Sequence, residues 1–394
     1  MNAALKTSDG FSTAAGRQLL ATIDDPLTDL AIRRLDAFDR IFGGDRAEVT
    51  AVICVGDMLE RMAQRVWGPA GYSWARRAKT LTARYESADE DLHSLEACLL
   101  RVLDPFNGIL TVPLGSMFTA SECDAIVAER TPQRIERPDL NQPVGHAIDY
   151  TGYMCVVLKV TRLCNLRCTY CHDWSASPAS GMTTPVLLRV IAESLSCGAG
   201  AIDFVLHGGE PLMMGRQTFR KLLALQAHLL RPSQSVRMHV QTNATLVDEW
   251  WISALSLFGI KVSVSLDGPA AVHDRTRIDT LGRGTFKRVV DGLHLLQRNG
   301  LLSGTLIVVS REVLSIGAEH VLQFLNDGDI SSVSFLPERP AAGSGVPESN
   351  VSADEFVQFL IAFDTANRGG KYKHVNVREL DAVANVLRGV PSQF

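Results

Sequence analysis

Apolar and polar residues follow two different patterns after about residue 150. Short apolar, β-rich runs are separated by stretches with helical spacing, such as the one that includes Val186, Val190 and Leu195. This alternation is typical of repeated βα units around a parallel sheet. The predicted strands are CVVLKVT (155–161), AIDFVLHG (201–208), VRMHVQTN (236–243), KVSVSLDG (261–268), GTLIVVS (304–310) and SVSFLPE (332–338). We therefore expect an α/β fold, a partial (β/α)6 barrel over residues 151–340.

The rest of the chain has a different pattern. Residues 26–130 carry apolar stripes at helical spacing, which predict a mainly helical domain of unknown role. Residues 131–150 contain three prolines and few apolar anchors, so they read as a linker. We expect a flexible N-terminus over residues 1–25 and closing helices within residues 341–394.

Composition narrows the class of protein. Hydrophobic residues make up 46% of the chain and charged residues 21%, as in a globular protein with a sizeable core. The net charge of −4 gives no electrostatic reason to expect a nucleic acid or an anionic membrane as partner. We find neither a secretion signal nor a run of about 18 apolar residues, so we expect a soluble, cytoplasmic protein.

Three of the eight cysteines stand close together, at positions 164, 168 and 171, directly after the first predicted strand. In a reducing compartment such a cluster indicates metal or redox chemistry. Three thiolates at this spacing suit a 4Fe-4S cluster with one iron left open. A zinc site completed by His172 and a set of unrelated buried thiols are the alternatives. We interpret Cys155 and Cys197 as core residues.

The C-x3-C-x2-C loop, with Tyr170 before its last cysteine, resembles the cluster loop of the radical S-adenosylmethionine (radical SAM) superfamily. In that family the open iron binds SAM, and reductive cleavage of SAM produces a 5′-deoxyadenosyl radical. HGGEP at 207–211 resembles the glycine-rich loop that contacts the SAM amino group. By this resemblance Cys164, Cys168 and Cys171 would bind one 4Fe-4S cluster. The cofactor contacts would include Tyr170, Gly208, Gly209 and Glu210.

Two later motifs resemble the branch of the family that modifies peptides and proteins. VQTNATLV (240–247) and VSLDGPAAVHDRTR (264–277) are similar to segments of anaerobic sulfatase-maturing enzymes and of maturases of ribosomally made peptides. The resemblance implies that Ser265 contacts the SAM ribose or carboxylate, and that Arg277 pairs with the SAM carboxylate. By the same resemblance Asn243 and Asp267 would bind ribose or orient the substrate. The alternative, which suits these two side chains equally well, is a local structural role: Asn243 at a strand end and Asp267 in an Asp-Gly turn.

The resemblance implies a function, which we weigh against two alternative functions. We expect a radical SAM enzyme that modifies a peptide or protein side chain, for example by forming a cross-link, with the helical domain as a candidate recognition domain. An external one-electron donor of the flavodoxin or ferredoxin type would be a partner. No cysteine follows Cys197, so we expect a single cluster and consider sulfatase maturation the weaker interpretation. A radical SAM enzyme for a small metabolite and a non-catalytic iron–sulfur or zinc scaffold are the alternatives.

Overall fold

The computed structural model describes most of the chain. The described residues are 11–43, 46–47, 57–84, 89–130, 152–171, 173–177, 179, 181–231, 234–339 and 351–389. Among them no helix combines the length and the apolar character needed to cross a membrane. The segments 1–10, 131–150 and 340–350, and with them the predicted linker, lie outside the described residues.

The N-terminal region is mainly helical, as its apolar stripes predict. Its helices are α1 (Ala14–Ala21), α2 (Thr28–Phe42), α3 (Asp57–Trp67), α4 (Pro69–Arg84), α5 (Asp89–Leu103), α6 (Pro105–Gly108) and α7 (Ala120–Arg130). Two short strands, β1 (Phe11–Ser12) and β2 (Arg46–Ala47), pair in antiparallel fashion.

Helix α1 lies in the segment for which the sequence suggested a flexible terminus. It packs so closely on α5 that a Cβ at Gly16 would lie 2.2 Å from the carbonyl oxygen of Ser94. This contact depends on a missing side chain, not on a row of large apolar residues. The helix fully buries one large apolar side chain, Leu20, which is too few for a stripe at helical spacing to be read from the sequence.

A parallel sheet forms the second half of the molecule, and the predicted α/β class is confirmed. Its strands are β3 (Tyr153–Thr161), β4 (Ala201–Gly208), β5 (Ser235–Thr242), β6 (Lys261–Ser265), β7 (Leu302–Val309), β8 (Ser332–Pro337) and β9 (Asn376–Val377). They pair in chain order, and β3 and β9 do not meet, so the sheet stays open. The sequence predicted the first six; β9 has two residues, too few for a periodic pattern.

Helices follow the strands and cover one face of this sheet. They are α8 (Thr184–Ser196), α9 (Gly215–Leu229), α10 (Glu249–Leu257), α11 (Ala270–Thr276), α12 (Phe286–Arg298), α13 (Arg311–Ile316), α14 (Ala318–Asp327), α15 (Ala353–Arg368) and α16 (Arg378–Leu387). The start of α10 is capped by the Asp248 carboxylate, and Ser352 and Glu355 form a capping box at α15.

The main hydrophobic core lies between the sheet and these helices. It includes alternate residues of each strand, such as Leu158 and Val160 of β3. The same core includes Phe38 and Phe42 of α2, so the N-terminal helices share an apolar interface with the barrel. A second core, around the buried Trp74 and Leu95, lies within the N-terminal region itself.

The opposite, concave face of the sheet is open. The side chains of Val157, Lys159 and Arg237 alternate with the buried strand residues and are exposed there. Cys155 is also exposed, so its prediction as a core residue is wrong: strand alternation places it on the concave face. Cys197 is half-buried at the end of α8, with its Sγ 3.7 Å from Met154 Sδ.

Candidate active site at the carboxyl edge of the sheet

The cysteine loop begins where β3 ends and is held by the end of α11 and the residues that follow it. The backbone N–H of Arg167 donates to Ile278 O at 2.7 Å, and that of Thr169 donates to Thr276 O at 2.8 Å. These bonds lie on either side of Cys168. The loop is therefore fixed by a segment more than a hundred residues away in sequence.

The three thiols of this loop are free and half-buried. The N–H of Leu166 approaches Cys164 Sγ at 3.4 Å, and Arg277 Nη1 lies 3.9 Å from Cys168 Sγ. Burial raises the pKa of the Cys164 thiol to about 12, and burial also raises that of Cys168 despite the nearby arginine. A metal ligand must be a thiolate, so binding of iron would have to displace these protons.

The HGGEP loop lies directly against the entry to the cysteine loop. Gly209 N donates to Thr161 O at 2.8 Å, and Glu210 N donates to Leu163 O at 2.7 Å. A Cβ at Gly208 or Gly209 would lie 2.2 Å from the carbonyl oxygen of Thr161 or Leu163, respectively. Both glycines are thus needed so that the HGGEP loop can lie against the backbone of residues 161–163. This packing requires glycine whether or not a ligand is bound.

Glu210 occupies an internal position. Its carboxylate is fully buried and accepts hydrogen bonds from Thr242 Oγ1 at 2.7 Å, Asn243 N at 2.8 Å and Leu212 N at 3.0 Å. Burial raises its pKa, and these three donors oppose the shift. Glu210 therefore joins the ends of β4 and β5.

Asn243 and Ser265 lie at neighbouring strand ends. Asn243 is buried; its amide donates to Asn165 Oδ1 at 2.9 Å, and its own Oδ1 accepts from Thr245. It therefore connects the cysteine loop to the end of β5. Ser265 is partly exposed and accepts from Gln241 Nε2 at 2.9 Å.

Beside Cys168, the half-buried Tyr170 contacts two buried residues, Asp267 and Arg277. The Tyr170 hydroxyl donates to Asp267 Oδ2, and Arg277 Nη2 donates to Asp267 Oδ1 at 3.1 Å. Arg277 Nε makes a further ion-pair contact with Oδ2 at 2.9 Å. All the predicted site residues thus lie at one edge of the sheet, but several already have protein partners.

Sequence reasoning missed other residues of this site. The guanidinium of Arg167 stacks 3.8 Å from the centroid of the Trp174 ring and donates to the carbonyls of Cys164 and Leu166. Lys159 pairs with Asp173 at 2.7 Å, so the first strand is linked to the end of the cysteine loop. An Arg directly before Cys168 and a Lys in a strand carry no sequence signal of their own.

The donor set fits an iron–sulfur cluster by its chemistry. Three thiols on one short loop have N–H groups aimed at two of the sulfurs, as is usual for cluster ligands. Within the described ranges, no three or more His, Cys, Asp or Glu side chains are arranged to hold a metal ion. A single-ion site needs several ligands around one metal, whereas in a cubane cluster each thiolate binds a different iron. His172, the suggested fourth zinc ligand, lies outside the described residues.

His273 contacts the backbone of Asp267 in this site, and its titration predicts how the stability of the protein depends on pH. Its Nδ1 accepts from Asp267 N at 3.3 Å, and its Nε2 faces Thr285 Oγ1 at 3.1 Å. Thr285 donates its own proton to Arg277 O, so Nε2 carries the imidazole hydrogen. Burial, followed by the charge of Arg277, lowers the pKa of His273 to about 4, and Asp267 and Asp274 oppose this.

Because an unfolded chain protonates His273 near pH 6.5 and the folded chain only near 4, stability falls as the pH is lowered between these values. From pH 7 to pH 5 we expect a loss of about 2 kcal/mol in the free energy of unfolding from this residue. Urea unfolding of the wild type and of His273→Gln at both pH values measures it. An equal pH dependence in the two proteins would contradict the prediction.

An open parallel sheet carries a cysteine loop and a glycine-rich loop at its carboxyl edge, and the three thiols of the cysteine loop suit an iron–sulfur cluster. Residues 158–324 match the family described as the Radical SAM superfamily, and this part of the chain is a radical SAM domain.

The curated relatives include enzymes that mature sulfatases. Over 205 residues the chain is 29% identical to the serine-type anaerobic sulfatase-maturating enzyme of Klebsiella pneumoniae, which covers 50% of this chain and 51% of that enzyme. It is 31% identical over 182 residues to the cysteine-type enzyme of Clostridium perfringens, with coverage of 44% and 48%. The chain thus spans about half the length of the curated relatives it matches.

A solved structure extends this similarity to the fold. The chain matches the structure described as native anSMEcpe with bound AdoMet and Kp18Cys peptide with a TM-score of 0.54 and 26% identity. The match covers 61% of this chain and 68% of that one.

Proposed function

We propose that this chain reductively cleaves SAM at a 4Fe-4S cluster held by Cys164, Cys168 and Cys171, and that it uses the radical to modify a peptide or protein side chain. The observation that carries the proposal is the convergence of the family's motifs at one edge of the sheet. The HGGEP loop bonds to the entry of the cysteine loop, and the segment after α11 bonds to its middle. These contacts hold the three thiols on one loop at the carboxyl edge of the sheet.

The bound cofactors would supply the one-electron reduction of SAM and, from it, hydrogen abstraction. The residues of the chain would hold the cofactors. Gly208 and Gly209 bring a backbone edge close to the cysteine loop, and Ser265 and Gln241 present polar groups near the ends of β6 and β5. The Arg167–Trp174 stack connects the middle of the cysteine loop to the residues that follow its last cysteine.

A peptide substrate is supported by the relatives and by the open sheet. Sulfatase-maturating enzymes act on proteins by their name, and the similar solved structure contains a peptide. The concave face of this chain has exposed apolar and polar side chains, including Val157 and Arg237, that could contact an extended segment. Cross-link formation is one example of such a modification, and an external flavodoxin or ferredoxin would donate the electron.

The cleavage step is tested directly by anaerobic reconstitution of the full chain with iron and sulfide. After reduction with dithionite in the presence of SAM, we expect 5′-deoxyadenosine by chromatography, and none from the same protein without iron and sulfide. A reconstituted protein that binds zinc and leaves SAM intact would instead support the scaffold alternative.

The substrate class requires a second experiment. Peptides encoded beside this protein are compared with free metabolites, with 5′-deoxyadenosine release and substrate mass as the readouts. We expect release to rise, and the mass to change, only with a peptide. Turnover of a metabolite alone would favour the small-molecule alternative.

The helical N-terminal region is our candidate for peptide recognition. Removing residues 1–130 would take Phe38 and Phe42 out of the shared core and expose the residues packed against them, such as Phe258, so loss of binding in a truncated chain would be ambiguous. Hydrogen exchange of the full chain with and without the peptide avoids this problem. Protection confined to the sheet would contradict a recognition role for the helices.

A further inference from the structure

We propose that a surface beside the cysteine loop, formed by Arg167, Trp174, Leu281, Arg283 and Arg288, docks a small acidic protein that donates one electron to the cluster. We call it the docking surface. The inference rests on the proposed function, because it needs a cluster that is reduced from outside. One electron passes from the donor, which is oxidised, to the bound cluster, which is reduced, and no atom is transferred.

The docking surface is built on the cysteine loop itself. Leu166 pairs with Asp279 in an antiparallel bridge, and Arg167 N donates to Ile278 O at 2.7 Å. Cys168 directly follows Arg167 in the chain. A protein that contacts this surface therefore lies beside the central thiol of the loop. Such proximity is what a one-electron donor requires, because the rate of electron transfer falls steeply with distance.

A well-bonded turn presents Leu281 to solvent next to this loop. The carboxylate of Asp279 accepts from Leu281 N at 2.9 Å and from Arg283 N at 3.0 Å, and Gly282 N donates to Asp279 O at 3.0 Å. Leu281 is 73% exposed at the tip of the turn. A single exposed Leu is common on protein surfaces. Here, however, the turn carries an arginine beside it, and apolar and arginine side chains together are typical of protein interfaces.

The charge of the docking surface is positive. Arg283 Nη2 lies 2.8 Å, and Arg288 Nη2 3.1 Å, from the same carboxylate oxygen of Asp279. Two cations share one carboxylate, so this group keeps one positive charge. Arg167 adds another, because it stacks on Trp174 and donates to backbone carbonyls. This positive charge, in a chain of net charge −4, favours an acidic partner.

The small size of the surface also suits an electron donor. A redox carrier must leave after each electron, and weak redox complexes have small interfaces. Complementary charges speed such encounters without making them tight. Five side chains around one turn and one aromatic stack provide a contact of this kind.

The test uses two variants of the docking surface in the reconstituted full chain. Leu281→Ser removes the exposed apolar tip, and Arg288→Gln removes one charge while Asp279 keeps its pair with Arg283. A reduced flavodoxin of net negative charge is the protein donor, and dithionite is the small-molecule reductant that needs no docking. Release of 5′-deoxyadenosine is measured with each reductant.

Arg368→Gln is the matched control for the loss of a charge. Arg368 is exposed and pairs with one carboxylate, Asp364, on its own helix. It ends α15 close to β9, which pairs with the first residues of β8, so it lies at the opposite, amino-terminal edge of the sheet. We expect this variant to behave like the wild type with both reductants.

For Leu281→Ser and Arg288→Gln we expect the flavodoxin concentration at half-maximal rate to rise by about fivefold or more, and the rate with dithionite to equal that of the wild type. An unchanged dependence on flavodoxin would overturn the proposal. Equal losses with flavodoxin and dithionite would also overturn it, since they would mean a disturbed loop. A raised KM for the peptide substrate with unchanged flavodoxin dependence would assign the surface to the peptide instead.

Flavodoxin binding to the cluster-free full chain provides a readout that needs no chemistry. We expect the Kd to rise with ionic strength, and to rise in both surface variants but not in Arg368→Gln. A wild type that leaves SAM intact with dithionite contradicts the proposed function, and this binding measurement then decides the docking surface by itself. Absence of flavodoxin binding to the wild type, or an equal Kd in all four proteins, would overturn the proposal.

Discussion

Replacing Cys168 by alanine is expected to abolish both the cluster and SAM cleavage. Cys168 is the middle thiol of the loop, and it is the one whose sulfur faces Arg277. With only Cys164 and Cys171 left on this loop, one iron corner loses its protein ligand, and an incomplete cubane is not retained. Iron and sulfide content, the cluster signal in electron paramagnetic resonance and 5′-deoxyadenosine release should all fall to background.

Cys197→Ala is the matched control for this loss of a thiol. Cys197 lies at the end of α8 and contacts Met154, away from the loop. We expect cluster content and 5′-deoxyadenosine release like those of the wild type. A Cys168→Ala protein that keeps both the cluster and the cleavage would show that the cluster is held elsewhere and would contradict the proposed site.

Replacing Gly209 by alanine is expected to displace the cysteine loop without touching any thiol. The added Cβ would lie 2.2 Å from Leu163 O and 2.4 Å from Arg162 O. Both are backbone atoms at the entry to the loop, so they cannot give way as the tip of a flexible side chain could. Overpacking of this kind costs about 1–3 kcal/mol, and here the strain falls on the segment that leads to Cys164.

We therefore expect Gly209→Ala to lower the free energy of unfolding and to reduce cluster loading and SAM cleavage severely. Thermal unfolding and iron content measure the two effects. Gly115→Ala is the control: no atom lies within 4 Å of its Cβ position, and its backbone angles suit any residue. Normal cluster loading in Gly209→Ala would mean that the two loops are not packed together as described.

The sequence located the strands of the sheet and the loops of the site well, for physical reasons. Strands β3 to β8 are long enough for apolar alternation to show, and each motif directly follows a strand. Parallel strands that pair in chain order bring their carboxyl ends to one edge, so the cysteine loop, HGGEP and the segment after β6 had to be neighbours.

The sequence was less informative where a contact has no periodic signal. Helix α1 packs on α5 through Gly16, and β9 has two residues. Cys155 looked like a core residue, yet strand register places it on the open concave face. The Lys159–Asp173 pair and the Arg167–Trp174 stack join residues whose types alone indicate nothing about their partners.

What the sequence by itself determined is the architecture and the chemistry: an open α/β sheet, three thiols on one loop and a glycine-rich loop after the next strand. These follow from local spacing, which any chain folding in this way must show. Only the tertiary structure decided what each polar side chain holds. Glu210 accepts from residues more than thirty positions away, and Tyr170 meets Asp267 across 97 positions. Such pairings depend on strand register and burial, which no local pattern encodes.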